Sequence, residues 1–334
     1  MYVLLGLCLA LAALLTLNAL ASGCAALVWR AVAPRVALRP ASERAALLFA
    51  LRVFPPALAA LLAFILVLPA YVYHEPANSG EVVGTKLAVI AALSAAGVLL
   101  ALWRVARTWL ATRRLTRDWT RNAARVEVEG LRLPAYRLRH RFPVIAVIGV
   151  LRPRLFIAEQ VFDALTEGEL AAAVGHERGH VEARDNLKRA LLRAGQDALL
   201  LAPLGRSLLR AWQRDSEVAA DEFAASNGPR AAVDLASAIV KISKMIPAGA
   251  RPTLPAGAHL LGADDEGLAQ RVRNLLRLAS AKENAPRVLS LPVRSPLPAL
   301  LCLLLVATAS LLLTRPAVLK TTHFAIERVV ESLR

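Results

Sequence analysis

Four apolar segments limit what this chain can fold into more than any other feature. They lie at about 2–28, 46–73, 87–103 and 295–314, and each has at least the ~17 residues with which an α-helix crosses a bilayer. Helices are expected because lipid cannot satisfy the hydrogen bonds of an open backbone. The 57% hydrophobic composition and the mean hydropathy of +0.49 also exceed those of a soluble domain. We therefore expect a mainly α-helical membrane protein with four transmembrane helices.

The first apolar segment could instead be a signal peptide that is removed. Ala21-Ser22-Gly23-Cys24 loosely resembles a lipoprotein cleavage site. However, no basic region precedes the segment, and the apolar run continues past Cys24, so we favour a retained helix. All three cysteines, Cys8, Cys24 and Cys302, fall in apolar segments, which excludes a disulfide scaffold or a thiolate zinc site between the third and fourth segments.

The distribution of arginine predicts the orientation of the chain in the membrane. The net charge is +16, and arginines cluster in the loop after the first segment and directly after the third. The positive-inside rule places both regions in the cytoplasm, and the N-terminus, the 74–86 loop and the C-terminus outside. We expect a multi-pass protein of the cell membrane, in contact with the lipid bilayer. No nucleic-acid-binding module accompanies the positive charge, so we expect no direct binding of nucleic acid.

Between the third and fourth segments, residues 104–294 have the mixed composition of a cytoplasmic α+β domain. Alternating or apolar runs at 125–129, 144–148 and 154–158 predict a small β-sheet, and helical patterns follow it. The tail, 315–334, carries an apolar stripe at helical spacing and is expected to be an extracytoplasmic amphipathic helix.

A metal-binding motif lies inside this domain. His176-Glu177-Arg178-Gly179-His180 has the spacing that places both imidazoles on one face of a helix, so that both can reach a single zinc ion. Glu177 would be the general base beside the ion. Thr166 to Glu169 forms a capping-box pattern that predicts where this helix starts.

A catalytic zinc needs a third protein ligand and an open position for water. A third histidine six residues after His180 is absent, because that position is Asn186. Downstream, Glu217 and Asp221 lie one turn apart in an alanine-rich helical stretch. We expect Glu217 to be the third ligand and Asp221 to accept the free N–H of one of the histidines. Nothing in the spacing of His259, in the Pro/Gly-rich stretch 247–267, connects it with zinc.

Each of these pieces alone could be a set of solvated polar side chains on a surface helix. The combination of H-E-x-x-H on a capped helix with E-x-x-x-D on a second helix favours the metal site. A purely structural zinc would be expected to have four Cys or His ligands, which this pattern does not supply.

With these motifs in place, the chain resembles the membrane-embedded gluzincin peptidases, particularly the BlaR/MecR-type antirepressor family, and more distantly the HtpX and CaaX-protease group. The resemblance covers about residues 1–315. The segments that carry it are Phe142–Gly149, Arg152–Arg154, Leu165–Leu170, His176–His180, Arg184–Asn186 and Glu217–Asp221. It implies a zincin-like domain, zinc as cofactor, a protein substrate such as a transcriptional repressor, and an extracellular β-lactam sensor after the fourth helix.

The chain departs from that pattern after the fourth segment. The sequence contains no S-x-x-K, so we expect no β-lactam receptor function. Three functions remain open: a regulatory zinc endopeptidase that cuts a cytoplasmic or membrane protein, a quality-control protease for membrane proteins, and a non-proteolytic membrane scaffold with structural zinc.

Overall fold

The computed structural model describes residues 2–76, 82–128, 131, 133–197, 204–246, 265–282 and 306–333. The described chain is mainly helical, with one small mixed sheet between its membrane helices and its later helices. The stretch containing His259 lies outside the described residues.

Three long helices form the first part of the fold. They are α1 (Tyr2–Val36), α2 (Ala41–Leu62), which continues through one π-helical turn (Ala63–Val67) into α3 (Leu68–His74), and α4 (Thr85–Arg121). All three are long and apolar enough to cross a membrane. At 1.5 Å per residue, each is about 50 Å long and exceeds the ~30 Å hydrocarbon core. Helix α4 therefore continues beyond residue 103 into the arginine-rich stretch that the sequence placed in the next domain.

The fourth predicted segment lies mostly outside the described residues. Residues 306–313 are helical (α11), and α12 (Pro316–Leu333) follows them. Helix α12 packs against α3 and α4, and its Val330 contacts the apolar cluster around Leu5, Tyr71 and Leu87. The predicted amphipathic tail is thus a helix that covers one end of the bundle.

The same end of the bundle holds the beginning of α1. The hydroxyl of Tyr71 donates to the carbonyl of Tyr2 at 2.8 Å, and the hydroxyl of Tyr2 donates to the carbonyl of Val72. Gly6 is required there, because a Cβ at this position would lie 2.7 Å from the ring of Tyr71. The start of α1, the end of α3 and α12 are therefore neighbours.

The sheet contains β1 (Ala123–Val126), β2 (Ala135–Leu138), β3 (Ile145–Ile148) and β4 (Arg154–Ala158), in the order β1-β2-β4-β3. Strand β2 runs parallel to β4, and the other two pairs are antiparallel. Strands β3 and β4 correspond to the predicted runs 144–148 and 154–158. The predicted run 125–129 overlaps β1 only at residues 125 and 126, and β2 was not predicted. Strand β3 is an edge strand, and its residues are buried beneath the helices that follow.

Six helices complete the described domain. They are α5 (Glu159–Ala164), α6 (Glu167–Glu182), α7 (Asp185–Asp197), α8 (Leu204–Ala225), α9 (Pro229–Lys244) and α10 (Asp265–Lys282). The capping box is confirmed: the Thr166 hydroxyl accepts from the Glu169 N–H, and the Glu169 carboxylate accepts from the Thr166 N–H. Helix α6 packs between the sheet and α8, with Ala173 and Val174 in the same apolar core as Ile145 and Phe156.

Helix α8 joins this domain to the membrane helices. Arg44, in the first turn of α2, makes a 2.8 Å ion pair with Asp215, and the Ala41 N–H donates to Glu222. The guanidinium of Arg52 packs against Gly205, where a Cβ would lie 2.9 Å from its Nε. The amino-terminal half of α2 and helix α8 therefore pack closely over a long stretch.

Candidate metal centre

The two histidines of the motif are held on the buried face of α6. His176 is 0% exposed, because the sheet covers one side of α6 and α8 covers the other. Gly179 allows this close approach, since a Cβ there would lie 3.1 Å from the Cα of Ala220 and 3.3 Å from Phe223. A larger residue at 179 would push α8 away from the motif.

Helix α8 brings Glu217 to the two histidines, as the sequence predicts. Nε2 of His176 lies 3.6 Å from Oε2 of Glu217, and Nε2 of His180 lies 3.5 Å from Oε1. The three potential ligand atoms all lie within 4.8 Å of one another. Ligand bonds of 2.0–2.2 Å in a tetrahedral zinc site place ligand atoms about 3.4 Å apart. Both His–Glu separations are close to this spacing, and each involves a different oxygen of Glu217.

The polar atoms that face one another also fit a bound cation. Nε2 of His176 and Oε2 of Glu217 are buried and have no hydrogen-bond partner among the described residues. Leaving such atoms unpaired is costly, and a metal ion would satisfy both. Two imidazoles and one carboxylate are the ligand set of a catalytic zinc, which keeps one position open for water.

The far nitrogen of each imidazole meets a carboxylate. Nδ1 of His176 lies 2.9 Å from Oδ1 of Asp221, so His176 is the histidine that Asp221 contacts. Nδ1 of His180 lies 2.7 Å from Oδ2 of Asp185. A carboxylate in this position fixes the ring and leaves Nε2 free to bind metal. Asp185 lies in the segment Arg184–Asn186 that carries the family resemblance, but its contact with His180 was not predicted.

Two arginines that were not predicted from the sequence bind the carboxylates of Glu217 and Asp221. Nη2 of Arg189 donates to Oε1 of Glu217 at 3.0 Å. Arg271, on α10, binds Asp221 through two hydrogen bonds of 2.9 and 2.7 Å, and its Nη1 lies 3.6 Å from Glu217. Burial alone would raise the pKa of Glu217, but the favourable interactions with His180, His176 and Arg271 outweigh it and hold the pKa well below its usual range. Glu217 is thus held as a carboxylate.

The charge balance of the cluster also favours a bound cation. Its carboxylates are those of Glu177, Asp185, Glu217 and Asp221, and its cationic groups are those of Arg189, Arg271 and Lys188, which lies 3.8 Å from Asp185. With the carboxylates ionised and the imidazoles neutral, one negative charge remains in a buried site. A metal cation would offset it, which lowers the cost of burying this cluster.

Glu177 lies beside the three candidate ligands and contacts the sheet. Its side chain is buried, and Oε2 accepts a 2.9 Å hydrogen bond from the N–H of Val147 on β3. Burial raises the pKa of this carboxyl, although His180 and His176 oppose the shift. Nδ2 of Asn186 donates to the carbonyls of Val147 and Gly149, each at 3.0 Å. The edge strand is therefore attached to both the motif helix and the start of α7.

Comparison with known families is consistent with this geometry. A family model described as BlaR1 peptidase M56 matches residues 74–275, which is more than half of the chain. The chain belongs to this family. Among curated proteins, none matches the sequence significantly. The M56 family is a group of membrane-associated metallopeptidases, in which the metal is usually zinc.

This M56 chain has a large cleft beside β3 and α7. The cleft has a volume of about 1270 Å³ and is bounded by α4, the loop after β3 and α7. Asn186 and Gly149 form the part of its wall that reaches β3. Apolar atoms form most of its wall, and several arginines lie among them: Arg104, Arg107, Arg113, Arg117, Arg152 and Arg193. Burial and the neighbouring charge of Arg189 lower the pKa of Arg193, so its positive charge would be stabilised by an anionic group.

Proposed function

We propose that this chain is an integral-membrane zinc endopeptidase. His176, His180 and Glu217 hold the metal, and Glu177 is the general base. The proposal rests on the convergence of three ligand atoms within 4.8 Å, with the buried Glu177 directly after His176 in the chain. Asp221 and Asp185 position the two imidazoles. This ligand set and its supporting carboxylates are those of a catalytic rather than a structural zinc.

The chemistry of peptide hydrolysis is divided between the metal and the chain. Zinc held by these residues would supply a Lewis acid that activates water and polarises a carbonyl group. Glu177 would take the proton of the attacking water and pass it to the leaving amine. Val147 fixes Oε2 of Glu177 through its N–H, so Oε1 is the oxygen that accepts the proton. The raised pKa of Glu177 suits a group that must both accept and release a proton.

The edge strand provides a place for an extended substrate. Because backbone groups alternate along an antiparallel strand, Ile145 presents its N–H and C=O to the same side as Val147, away from β4. The N–H and C=O of Val147 already bond to Glu177 and Asn186, so a substrate segment would pair with the backbone of Ile145, which would hold a scissile bond near Glu177. The arginines among the apolar residues of the cleft would favour acidic residues in such a substrate.

The arrangement of charges supports a cytoplasmic catalytic domain. The metal centre packs on the first half of α2 and the second half of α4, which are the arginine-rich ends of those helices. Tyr2, Val72 and α12 lie together at the other end of the bundle. We therefore place the catalytic domain on the cytoplasmic side of the cell membrane, and the N- and C-termini on the outer side.

The biological role we propose is regulatory proteolysis of a cytoplasmic or membrane protein, of the repressor and antirepressor type. A quality-control protease would use the same residues, so the identity of the substrate separates the two. A scaffold with structural zinc gives no reason for a buried carboxylate such as that of Glu177 to be oriented next to the metal.

The test compares cells that produce the intact protein, Glu177→Gln and Glu167→Gln. Glu167 is exposed on the same helix, so its variant controls for loss of a carboxylate. We expect Glu177→Gln to retain zinc but to lose at least ~100-fold in peptidase activity, as removal of a general base does. Quantitative proteomics should then show an uncut substrate that accumulates with Glu177→Gln alone. Unchanged cleavage in Glu177→Gln would refute the assignment.

A further inference from the structure

A second cluster of metal-ligating side chains lies at the other end of the bundle. Glu75 directly follows α3, and His323 and Glu327 lie one turn apart on the same face of α12. We propose that these three residues form a second zinc site, which fastens α12 to the end of α3. The proposal does not depend on the peptidase activity, because the cluster shares no residue with the catalytic domain.

The positions of the atoms fit a single ion. Nε2 of His323 lies 3.3 Å from Oε1 of Glu327 and 4.0 Å from Oε2 of Glu75. All three candidate ligand atoms lie within 4.8 Å of one another, as they do in the first centre. A tetrahedral zinc requires about 3.4 Å between ligand atoms, so the contact of Glu75 with His323 needs to shorten by about 0.6 Å. Both carboxylates face the same nitrogen, Nε2.

Burial distinguishes this cluster from an ordinary surface ion pair. The side chain of Glu75 is 7% exposed and that of His323 is 13% exposed. The contact of Glu75 with His323, at 4.0 Å, is longer than a hydrogen bond, whereas His323 and the half-exposed Glu327 lie 3.3 Å apart. A pair of His323 with Glu327 would form without Glu75. A cation between the three groups would bring the largely buried Glu75 carboxylate into closer contact with an opposite charge.

The ligand types select the metal. An imidazole with two carboxylates suits Zn²⁺ and similar transition metals, whereas Mg²⁺ and Ca²⁺ prefer sites made only of oxygen. The imidazole of His74 lies next to the cluster, with its ring centroid 5.7 Å from that of His323. A rotation of this side chain could supply a fourth ligand, and water would otherwise fill that position.

The site would join residues that are far apart in the sequence. Glu75 precedes α4, whereas His323 and Glu327 lie in the last described helix. An ion that binds only this folded arrangement stabilises it by mass action. We therefore expect zinc to stabilise the contact of α12 with α3, in addition to the apolar contacts of Ile326 and Val330.

The test measures zinc bound to the full-length protein in detergent micelles, after removal of metal and addition of Zn²⁺ alone. We expect about two zinc ions per chain, and about one in either His323→Ala or Glu75→Gln. In the control Glu331→Gln, which removes an exposed carboxylate one turn beyond Glu327, we expect both ions to remain. Glu327→Gln, at a half-exposed position, keeps the test available should His323→Ala fold poorly.

A second measurement separates this site from the catalytic one. In His180→Ala, which is expected to lose the catalytic zinc, added Zn²⁺ should still raise the midpoint of thermal unfolding. The rise should disappear when His323→Ala is added to His180→Ala. The second site is refuted if zinc stoichiometry is the same in the intact protein, Glu75→Gln and His323→Ala. Failure of the peptidase proposal would instead appear as two bound zinc ions without any cleavage that depends on Glu177.

Discussion

Asp185 supports the metal centre without being an expected ligand, because it contacts one of the two histidines. Its carboxylate lies 2.7 Å from Nδ1 of His180, and Asp185 itself is buried. We predict that Asp185→Ala weakens zinc binding about 10- to 100-fold, as loss of a carboxylate behind a metal-binding histidine does. Zinc affinity measured by competition with a chelator checks this. Asp163→Ala, which removes an exposed carboxylate, is the control and should leave the affinity unchanged.

The sequence predicted the inner part of the site but not its surroundings. His176, Glu177 and His180 follow from one helical spacing, and Glu217 follows from the need for a third ligand. Asp185 was missed because its side chain reaches back to His180 across the turn at Arg184, where φ is 54°, and a turn pattern alone does not indicate that contact. Arg271 was missed because it lies 50 positions after Asp221, and only the packing of α10 brings the two together.

At the scale of elements, we predict that the capping box of α6 makes the stability of the domain depend on pH. Burial would raise the pKa of Glu169, but hydrogen bonds from Lys241, Ser237 and the Thr166 N–H outweigh it and lower the pKa to about 2. A lowered pKa means that the stabilisation is fully present above the ordinary value of 4.5 and is lost as the pH falls toward 2. Because Lys241 is 42% exposed, solvent reduces this contribution to about 1–2 kcal/mol.

Glu169→Gln isolates this contribution, because glutamine can still accept the N–H of the helix cap. We expect the intact protein to lose about 1–2 kcal/mol relative to Glu169→Gln between pH 4.5 and pH 2, as measured by chemical unfolding in detergent. The exposed Glu167→Gln should follow the intact protein. A constant difference across this pH range would contradict the prediction.

Among the strands, β2 shows why part of the sheet could not be predicted. Its four residues, Ala135–Leu138, include an arginine and follow Pro134, so they lack the apolar pattern of β3 and β4. The strand exists because Tyr136 pairs with Arg125 on one side and with Phe156 on the other. That pairing is set by tertiary structure and leaves no local signal.

At the scale of the whole molecule, one continuous helical run connects the two ends. It begins at Ala41 beside Asp215 and Glu222, and it ends at His74 beside the proposed second zinc site. Asp215 and Glu222 flank Glu217 on α8. The first turn of α2 therefore fixes the helix that carries the third candidate ligand, and a movement of α2 would change the position of Glu217.

We predict that Arg44→Gln lowers peptidase activity by about tenfold. Loss of its 2.8 Å contact with Asp215 frees α8 to shift, and a displacement of ~1 Å near an active site can cost up to about 100-fold. Arg39→Gln is a matched control, because it removes an equal charge just before α2, where Arg39 is exposed. Cleavage of the identified substrate by purified variants in lipid vesicles measures the effect. If Arg44→Gln and Arg39→Gln lower activity equally, the cause is the positive charge of this region and not the contact with α8. Asp215→Asn combined with Arg44→Gln should cost little more than Arg44→Gln alone, since both changes break one interaction.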